Sequence, residues 1–221
     1  MTGWDLKADL KFSLIPGQGL HAELFKMTRG HIHQADTVRI IGGQWRSRKL
    51  HFTEVPGLRP TPDRVRETLF NWLQADIVGA HCIDLFAGSG ALGFEALSRG
   101  ASQCLFIDSH PQCVADIKKN LEQFKASGGY TSLNDSLSVL TTPPSQFSPD
   151  RFDIAFVDPP YAMDCALDCC YLLAEQHWLN DKASIYIESA STIKESELPD
   201  NWRLHRQKKA GQVNYHLAIQ E

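Results

Sequence analysis

The chain has 221 residues, of which 43% are hydrophobic and 22% are charged, and these proportions exclude extensive disorder. It contains no run of about 18 apolar residues and no signal-peptide pattern at its N-terminus, so we expect a cytoplasmic protein that does not engage a membrane. The net charge is -4, and the six cysteines include no C-x-x-C pair. We therefore expect buried free thiols and no metal site.

Positive charge is concentrated between residues 29 and 70, which carry a net +4, whereas residues 71–221 carry a net -8. Basic side chains interleaved with tryptophan and histidine can contact the phosphates of a nucleic acid even when the whole chain is acidic. The candidate residues for this contact are Arg39, Arg46, Arg48, Lys49 and Arg59. The alternative is a solvated basic face that has no partner.

The N-terminal part of the chain shows no sustained hydrophobic period. Residues 1–37 contain several glycines and are predicted to be a loosely ordered arm, within which Met27 is an alternative start of the protein. A single domain is expected over residues 38–221, beginning with a basic hairpin and linker over 38–60. Residues 38–41 and 49–52 are its predicted strands, on either side of Gly42 and Gly43.

The catalytic part of this domain is expected over residues 61–221. Prolines at 60 and 62 predict an extended linker, and Asp63 is expected to cap a helix. The apolar face of that helix is expected to contain Val65, Leu69, Trp72 and Leu73.

From residue 81 onward the chain alternates strand-like and helix-like segments. The predicted strands are 82–86, 103–108, 136–140, 152–157 and 184–188, followed by an antiparallel pair at 202–209 and 213–219. The predicted helices are 91–98, 111–124 and 165–175. This alternation predicts an α/β fold with a mostly parallel sheet, which binds its ligand at the carboxyl ends of the central strands.

Residues 84–93 read DLFAGSGALG and join a predicted strand to a predicted helix. Gly88, Gly90 and Gly93 fit the G-x-G-x-x-G pattern, in which missing side chains let a ligand and the next helix approach the backbone. Asp108 ends the following strand, where it can accept hydrogen bonds from ribose hydroxyls. Together they predict a nucleoside cofactor, either NAD or S-adenosylmethionine; the alternative is a tight turn followed by a helix-capping acid.

A second motif, Asp158-Pro159-Pro160-Tyr161, follows the apolar strand predicted over 152–157. Two consecutive prolines restrict the backbone, so the Asp158 carboxylate and the Pro159 carbonyl are expected to be fixed as paired acceptors. A planar base could stack on the Tyr161 ring while the two hydrogens of its exocyclic amine reach those acceptors. The alternative is a rigid surface turn.

Four separated segments resemble the bacterial 16S ribosomal RNA guanine-N2 methyltransferases of the RsmD type. They read RIIGGQWRSRKL at 39–50, GLRPT with DRVRETLFNWL over 57–73, and the glycine and DPPY motifs at 84–93 and 158–161. The resemblance covers about residues 38–220. It implies a Rossmann-like class I methyltransferase with a seven-stranded sheet, S-adenosylmethionine as cofactor, and methylation of a guanine N2 amine (guanine 966 type) in 16S RNA or an assembling 30S subunit by a monomer.

The resemblance also assigns roles to individual residues. Asp158, Pro159, Pro160 and Tyr161 are the expected catalytic residues. The residues expected to hold the cofactor are Asp84, Phe86, Gly88, Ser89, Gly90, Asp108 and Asp135. Where the family usually has a second acid two residues after Asp108, this chain has His110, so only Asp108 is assigned there.

Three other functions are compatible with parts of the sequence. The DPPY motif also suits DNA adenine-N6 methylation, and the glycine motif alone permits an NAD-dependent dehydrogenase. The third is a non-enzymatic RNA-binding factor in ribosome assembly. The dehydrogenase is disfavoured because it leaves the DPPY motif unexplained. RNA is favoured over DNA only because the basic segment resembles that of the ribosomal RNA methyltransferases.

Overall fold

The computed structural model describes residues 35–55, 60–148 and 150–221. Almost all of the predicted N-terminal arm lies outside these ranges, as does Arg59. The described residues fall within one compact unit, residues 34–221. No helix within these ranges is long and apolar enough to cross a lipid bilayer.

Nine strands and five α-helices are formed within the described ranges. The strands are β1 (Ala35–Arg39), β2 (Lys49–Thr53), β3 (His81–Asp84), β4 (Gln103–Asp108), β5 (Gly129–Leu133), β6 (Phe152–Val157), β7 (Leu179–Ser189), β8 (Trp202–Ala210) and β9 (Val213–Gln220). The helices are α1 (Asp63–Trp72), α2 (Ala91–Ser98), α3 (Pro111–Phe124), α4 (Ser136–Leu140) and α5 (Ala166–Glu175).

The main sheet has seven strands in the order β5-β4-β3-β6-β7-β9-β8. Strands β3 to β7 pair in parallel, whereas β9 pairs antiparallel with both β7 and β8. Apolar cores cover both faces, with residues of α1, α2 and α3 in one core and residues of α4 and α5 in the other. The predicted Rossmann-like α/β fold with an antiparallel C-terminal pair is therefore confirmed.

The strands β1 and β2 form a separate two-stranded hairpin. Its connecting loop packs on the main domain through Trp45, which is buried against the rings of Phe94 and Phe124, with centroids 6.4 and 5.2 Å away. The outer edge of β2 is satisfied by side chains of α3, because Asn120 exchanges two hydrogen bonds with the backbone of His51. The hairpin is thus an integral layer of the domain.

The predicted strand at 136–140 is wrong, because these residues form α4 and the strand is β5 at Gly129–Leu133. The sequence SLSVL alternates polar and apolar residues, as a strand does, but five residues also fit one helical turn. Asp135 decides between them, since its carboxylate accepts a hydrogen bond from the Ser138 N–H at 2.9 Å and caps the helix.

Two further predictions in the N-terminal segment need correction. Asp63 is not the helix cap: Pro62 occupies that position, and the Asp63 carboxylate instead pairs with Arg66 at 2.6 Å. The first hairpin strand ends at Arg39 rather than Ile41, because the N–H groups of Ile41 and Gly42 donate to Glu95 of α2 and not to a neighbouring strand.

Candidate functional site

Three aspartates meet at one edge of the main sheet. Asp84 ends β3, Asp108 ends β4 and Asp158 directly follows β6. Because β3 pairs in parallel with both β4 and β6, the carboxyl ends of all three strands lie side by side. The structure therefore brings together the acids that the sequence placed in two separate motifs, at the edge where open parallel sheets bind ligands.

The glycine turn after β3 uses its three glycines in two ways. Gly88 and Gly90 have φ values of 53° and 78°, in the left-handed region that side chains disfavour. Gly93 has a different role, because a Cβ there would overlap the Phe106 ring of β4. The first two glycines thus shape the turn, and the third lets α2 pack closely on the sheet. Ser89, between the first two glycines, is buried. Phe86, which precedes them, is half-buried and packs against the core that contains α4 and α5.

Asp108 is attached to the glycine turn. Its Oδ2 accepts a hydrogen bond from the Gly88 N–H at 2.8 Å, and its Oδ1 accepts one from the His110 N–H at 2.7 Å. Each carboxylate oxygen has a second lone pair, so the half-buried side chain can still accept bonds from a diol. His110 itself caps α3, because its Nδ1 accepts from the Gln112 N–H at 3.2 Å.

Asp84 is buried beneath the glycine turn, and its Oδ2 accepts a hydrogen bond from the Gly93 N–H at 3.1 Å. Burial raises the pKa of this carboxyl to about 7, and the charges of Asp158 and Asp108 act in the same direction. An N–H group in the first turn of α2 is therefore already bonded to a carboxyl. That arrangement, with two further acids beside it, disfavours the pyrophosphate of NAD at this helix and suits a cationic nucleoside.

Asp135 is exposed at the start of α4, where its Oδ2 accepts bonds from the N–H and hydroxyl groups of Ser138. The next residue, Ser136, is buried and donates to the carbonyl of Leu85, the residue that follows β3. The backbone of Asn134 donates to the Asp108 carbonyl at 3.1 Å. The segment that holds Asp135 is thus fixed to the same edge of the sheet as Asp108.

The DPPY segment turns away from the sheet as soon as β6 ends. Asp158 is half-buried and Pro159 is buried, whereas Pro160 and Tyr161 are exposed, Tyr161 by 51%. Burial raises the pKa of Tyr161 to about 12, and the charges of Glu188 and Asp158 add to the effect. The phenol therefore stays neutral, and its ring remains exposed to solvent.

Glu188 is a site residue that the motifs did not reveal. The strands β6 and β7 pair at Val157 and Ile187, so Asp158 and Glu188 are the next residues of two neighbouring parallel strands. Glu188 is only 4% exposed, and its Oε1 accepts a 2.5 Å hydrogen bond from the buried Tyr186 hydroxyl. An acid at the end of an apolar strand was the available signal, since the carboxyl ends of parallel strands share one edge.

The two neighbouring carboxyls influence each other. Burial raises the pKa of Glu188 to about 8, and the charge of Asp158 contributes to this shift. Burial also raises the pKa of Asp158, to about 6, although hydrogen bonds from Thr61 and Glu188 act in the opposite direction. Two adjacent carboxyls with raised pKa values are characteristic of functional sites.

Thr61 is the second residue that the motifs missed. Its hydroxyl donates to Asp158 Oδ2 at 3.2 Å, and its own carbonyl accepts from Nε of the fully buried Arg66 at 3.0 Å. The linker before α1 therefore reaches the DPPY segment. No local pattern in the sequence indicates this contact, because 97 residues separate the two side chains.

The basic residues predicted to bind RNA are exposed where the structure describes them, and Arg59 lies outside the described residues. Arg39 pairs with Asp63 at 3.4 Å, and Arg48 lies over the Phe124 ring, 3.9 Å from its centroid. The loop that carries Arg46 and Arg48 packs on the C-terminal ends of α2 and α3. It is therefore separated from the aspartate edge by the length of α2, about 12 Å.

A second basic surface lies on the edge strand β8. Its exposed cationic side chains are Arg203, Arg206, Lys208 and Lys209. Lys208 pairs with Tyr215 of β9, which pairs in turn with Glu188 of β7. Strands lie about 4.8 Å apart, so the Lys208 backbone is about 10 Å from that of Glu188. The Lys208 ammonium lies 5.9 Å from the Trp72 ring, which stacks on Tyr215.

Proteins of similar sequence indicate the family to which this chain belongs. The family described as conserved hypothetical protein 95 matches residues 38–219. The ribosomal RNA small subunit methyltransferase D of Escherichia coli (strain K12) is 47% identical over 184 residues, covering 83% of this chain and 90% of that protein. Its Haemophilus influenzae counterpart is 45% identical, covering 81% of this chain and 92% of that protein.

A solved structure agrees as well. The Escherichia coli protein yhhF superposes with a TM-score of 0.76 at 45% identity, covering 84% of this chain and 99% of that chain. The family match over residues 38–219 includes the glycine turn, the aspartate edge and the DPPY segment. The chain therefore belongs to the conserved hypothetical protein 95 family, the RsmD family, together with the ribosomal RNA small subunit methyltransferases D.

Proposed function

We propose that this protein transfers a methyl group from S-adenosylmethionine to the exocyclic N2 amine of a guanine in 16S ribosomal RNA. The observation that carries the proposal is the DPPY segment, in which the Tyr161 side chain is exposed and the Asp158 carboxylate accepts a hydrogen bond from the Thr61 hydroxyl. The relatives named as ribosomal RNA small subunit methyltransferases support the RNA substrate and the reaction class.

The site suits an amine that is a poor nucleophile. The lone pair of a guanine N2 amine is delocalised into the ring, so the nitrogen reacts only when it becomes tetrahedral. The Asp158 carboxylate and the Pro159 carbonyl would accept its two hydrogens while Tyr161 stacks on the base, and this favours the tetrahedral form. The charge of Asp158 then stabilises positive charge that develops on the nitrogen, and that charge disappears when a proton leaves.

The residues expected to hold S-adenosylmethionine fit a cationic nucleoside. Gly88, Ser89 and Gly90 provide the turn, with Phe86 beside it, and Asp108 offers two oxygens to a ribose diol. Asp84 and Asp135 add carboxyls at the same edge of the sheet. The cofactor would supply an electrophilic methyl group, and the acidic surroundings would favour its positive charge.

The decisive test is methyl transfer from tritiated S-adenosylmethionine to deproteinised 16S RNA, to 30S subunits and to DNA, followed by mass spectrometry of the nucleosides. N2-methylguanosine in either RNA sample supports the proposal. N6-methyladenine in DNA would support the DNA alternative instead. Asp158→Asn, which keeps the size of the side chain but loses its charge, is expected to lower turnover at least 100-fold while RNA affinity stays within twofold.

The remaining alternatives have their own signatures. A dehydrogenase would bind NAD rather than S-adenosylhomocysteine in titration calorimetry. A non-enzymatic assembly factor would bind RNA and leave every substrate unmethylated, and its function in cells would survive Asp158→Asn. Methylation that is lost in this variant while RNA binding persists excludes both.

For RNA docking we infer the basic segment Arg39, Arg46, Arg48, Lys49 and Arg59, because the remainder of the domain carries a net negative charge. The exposed β8 residues Lys208 and Lys209 are the competing surface, and their strand is nearer to Glu188. Charged side chains on an edge strand also prevent pairing with other chains, which is their alternative role.

A further inference from the structure

We propose that Glu188 is a positioning residue for Asp158: the two carboxyls share one proton, and in the state that methylates the amine Glu188 keeps this proton and donates a hydrogen bond to the ionised Asp158. This inference rests on the proposed function, because it assigns Asp158 the role of amine acceptor. It adds a member to the site that lies outside both sequence motifs.

The backbone fixes the two side chains as neighbours. Strands β6 and β7 are hydrogen-bonded in parallel up to the pair Val157 and Ile187, and Asp158 and Glu188 follow immediately. Glu188 cannot turn toward solvent, because it is 4% exposed and its Oε1 is bonded to the Tyr186 hydroxyl. Asp158, in contrast, is only half-buried. Glu188 is thus the less exposed of the two carboxyls.

The surroundings of Glu188 favour a proton as the group that offsets its buried negative charge. Asp158 and Tyr161 face it from the segment after β6, Tyr186 from its own strand, and Tyr215 from the paired position on β9. No salt bridge to Glu188 is formed within the parts of the chain that the structure describes. Two ionised carboxylates this close repel each other, so the pair is expected to keep one proton at neutral pH.

A shared proton has a direct consequence for catalysis. When Glu188 carries it, Asp158 is ionised and receives donors from Glu188 and from Thr61. These two bonds fix the orientation of the carboxylate, and its remaining lone pairs point to the amine. When the nitrogen gains a methyl group, it loses one N–H proton to Asp158. The pair then holds two protons and releases one to water, which restores the starting state.

A purely structural role for Glu188 gives different expectations. In that case Glu188→Gln, which keeps the shape and a permanent N–H donor, would leave the pH dependence of turnover unchanged. Under the proposal, activity in the wild type falls at high pH as the pair loses its last proton. Glu188→Gln cannot lose this donor, so its turnover should stay constant on the alkaline side while the acidic limb, which reports Asp158, remains.

The first experiment follows the carboxyl carbons of the 13C-labelled, ligand-free protein by NMR across pH 4 to 10. We expect two coupled steps in the wild type. Asp158→Asn should lower the pKa of Glu188 from its raised value, and Glu188→Gln should reduce the titration of Asp158 to a single step. The exposed Glu122→Gln is the matched control and should change neither. Independent titration of Asp158 and Glu188 overturns the proposal.

The second experiment measures kcat and KM for methyl transfer across the same pH range. Glu188→Ala should lower kcat at least tenfold with KM within twofold, whereas Glu188→Gln should retain kcat near neutrality and lose the alkaline limb. Tyr186→Phe removes a bond that lowers the pKa of Glu188, so its alkaline limb should move to higher pH. An alkaline limb that persists in Glu188→Gln overturns the proposal. If no polymer is methylated, the proposed function fails, and the NMR titration still decides whether the pair exists.

Discussion

Thr61 and Asp158 are joined by a hydrogen bond of 3.2 Å that connects the linker before α1 to the DPPY segment. Thr61 is buried, and its hydroxyl stabilises the charged form of Asp158, which lowers the pKa of that carboxyl against the effect of burial. The N-terminal segment, which looks like an accessory part of the sequence, thus contacts the aspartate edge directly.

Thr61→Val should therefore raise the pKa of Asp158 and move the acidic limb of turnover to higher pH, because the valine cannot donate. Thr61→Ser keeps the hydroxyl and serves as the matched control. Turnover against pH is the measurement. An acidic limb that does not move in Thr61→Val would show that this hydrogen bond does not act on Asp158.

Asp108→Ala should weaken the binding of S-adenosylmethionine by on the order of 1–3 kcal/mol, since the ribose hydroxyls lose a charged acceptor. Asp108→Asn should lose less, because its amide oxygen can still accept the Gly88 N–H that Asp108 holds at 2.8 Å. Titration calorimetry with S-adenosylhomocysteine measures both. Unchanged affinity in Asp108→Ala would remove Asp108 from the cofactor site.

The raised pKa of Glu188 makes stability depend on pH. Its folded-state pKa of about 8 exceeds the usual 4.5, so its contribution is fully present below pH 4.5 and is lost as the pH rises through 8. The free energy of unfolding should therefore fall between pH 5 and pH 9, by on the order of 1.4 kcal/mol for each unit of pKa difference. In Glu188→Gln the fall should be smaller; urea denaturation at both pH values measures it, and an equal fall would contradict the assignment.

Glu95→Ala should destabilise the domain by about 3–5 kcal/mol, the usual cost of removing one partner of a buried ion pair. Glu95 is fully buried and accepts from the N–H groups of Ile41 and Gly42 at 2.8 Å, while one of its oxygens lies 3.6 Å from Nη1 of the buried Arg66. Glu67→Ala, on the exposed face of α1, is the control and should change the urea midpoint little. Equal midpoints for the two variants would show that the ion pair contributes little.

The two basic surfaces can be separated by salt dependence. Replacing Arg46 and Lys49 with alanine should weaken RNA binding and reduce its salt slope by roughly one unit for each lost phosphate contact, with cofactor affinity unchanged. The parallel double variant of Lys208 and Lys209 is the comparison. If only the second variant changes the slope, the RNA docks on β8 instead.

The sequence predicted the parts of this structure that depend on local pattern. The alternation of strand and helix periods predicted the fold. The glycine turn and the DPPY segment predicted most of the aspartate edge. The strand at 136–140 was wrong because SLSVL fits both periods, and only the capping contact of Asp135 resolves it. Glu188 and Thr61 escaped because their roles depend on contacts with Asp158 made across 30 and 97 positions of the chain.

The attachment of the hairpin loop has a consequence for the thermodynamics of recognition. Gly43 adopts a φ of 73°, and a Cβ there would overlap the Ser98 carbonyl, so the loop is seated directly on the end of α2. Trp45 holds the loop there by packing against Phe94, and Glu95 does so by accepting a hydrogen bond from the Gly42 N–H. An RNA that contacts Arg46 would meet a backbone that is already ordered, so docking adds no cost for ordering the backbone of this loop. Deletions in this loop should therefore lower the stability of the whole domain together with its affinity for RNA.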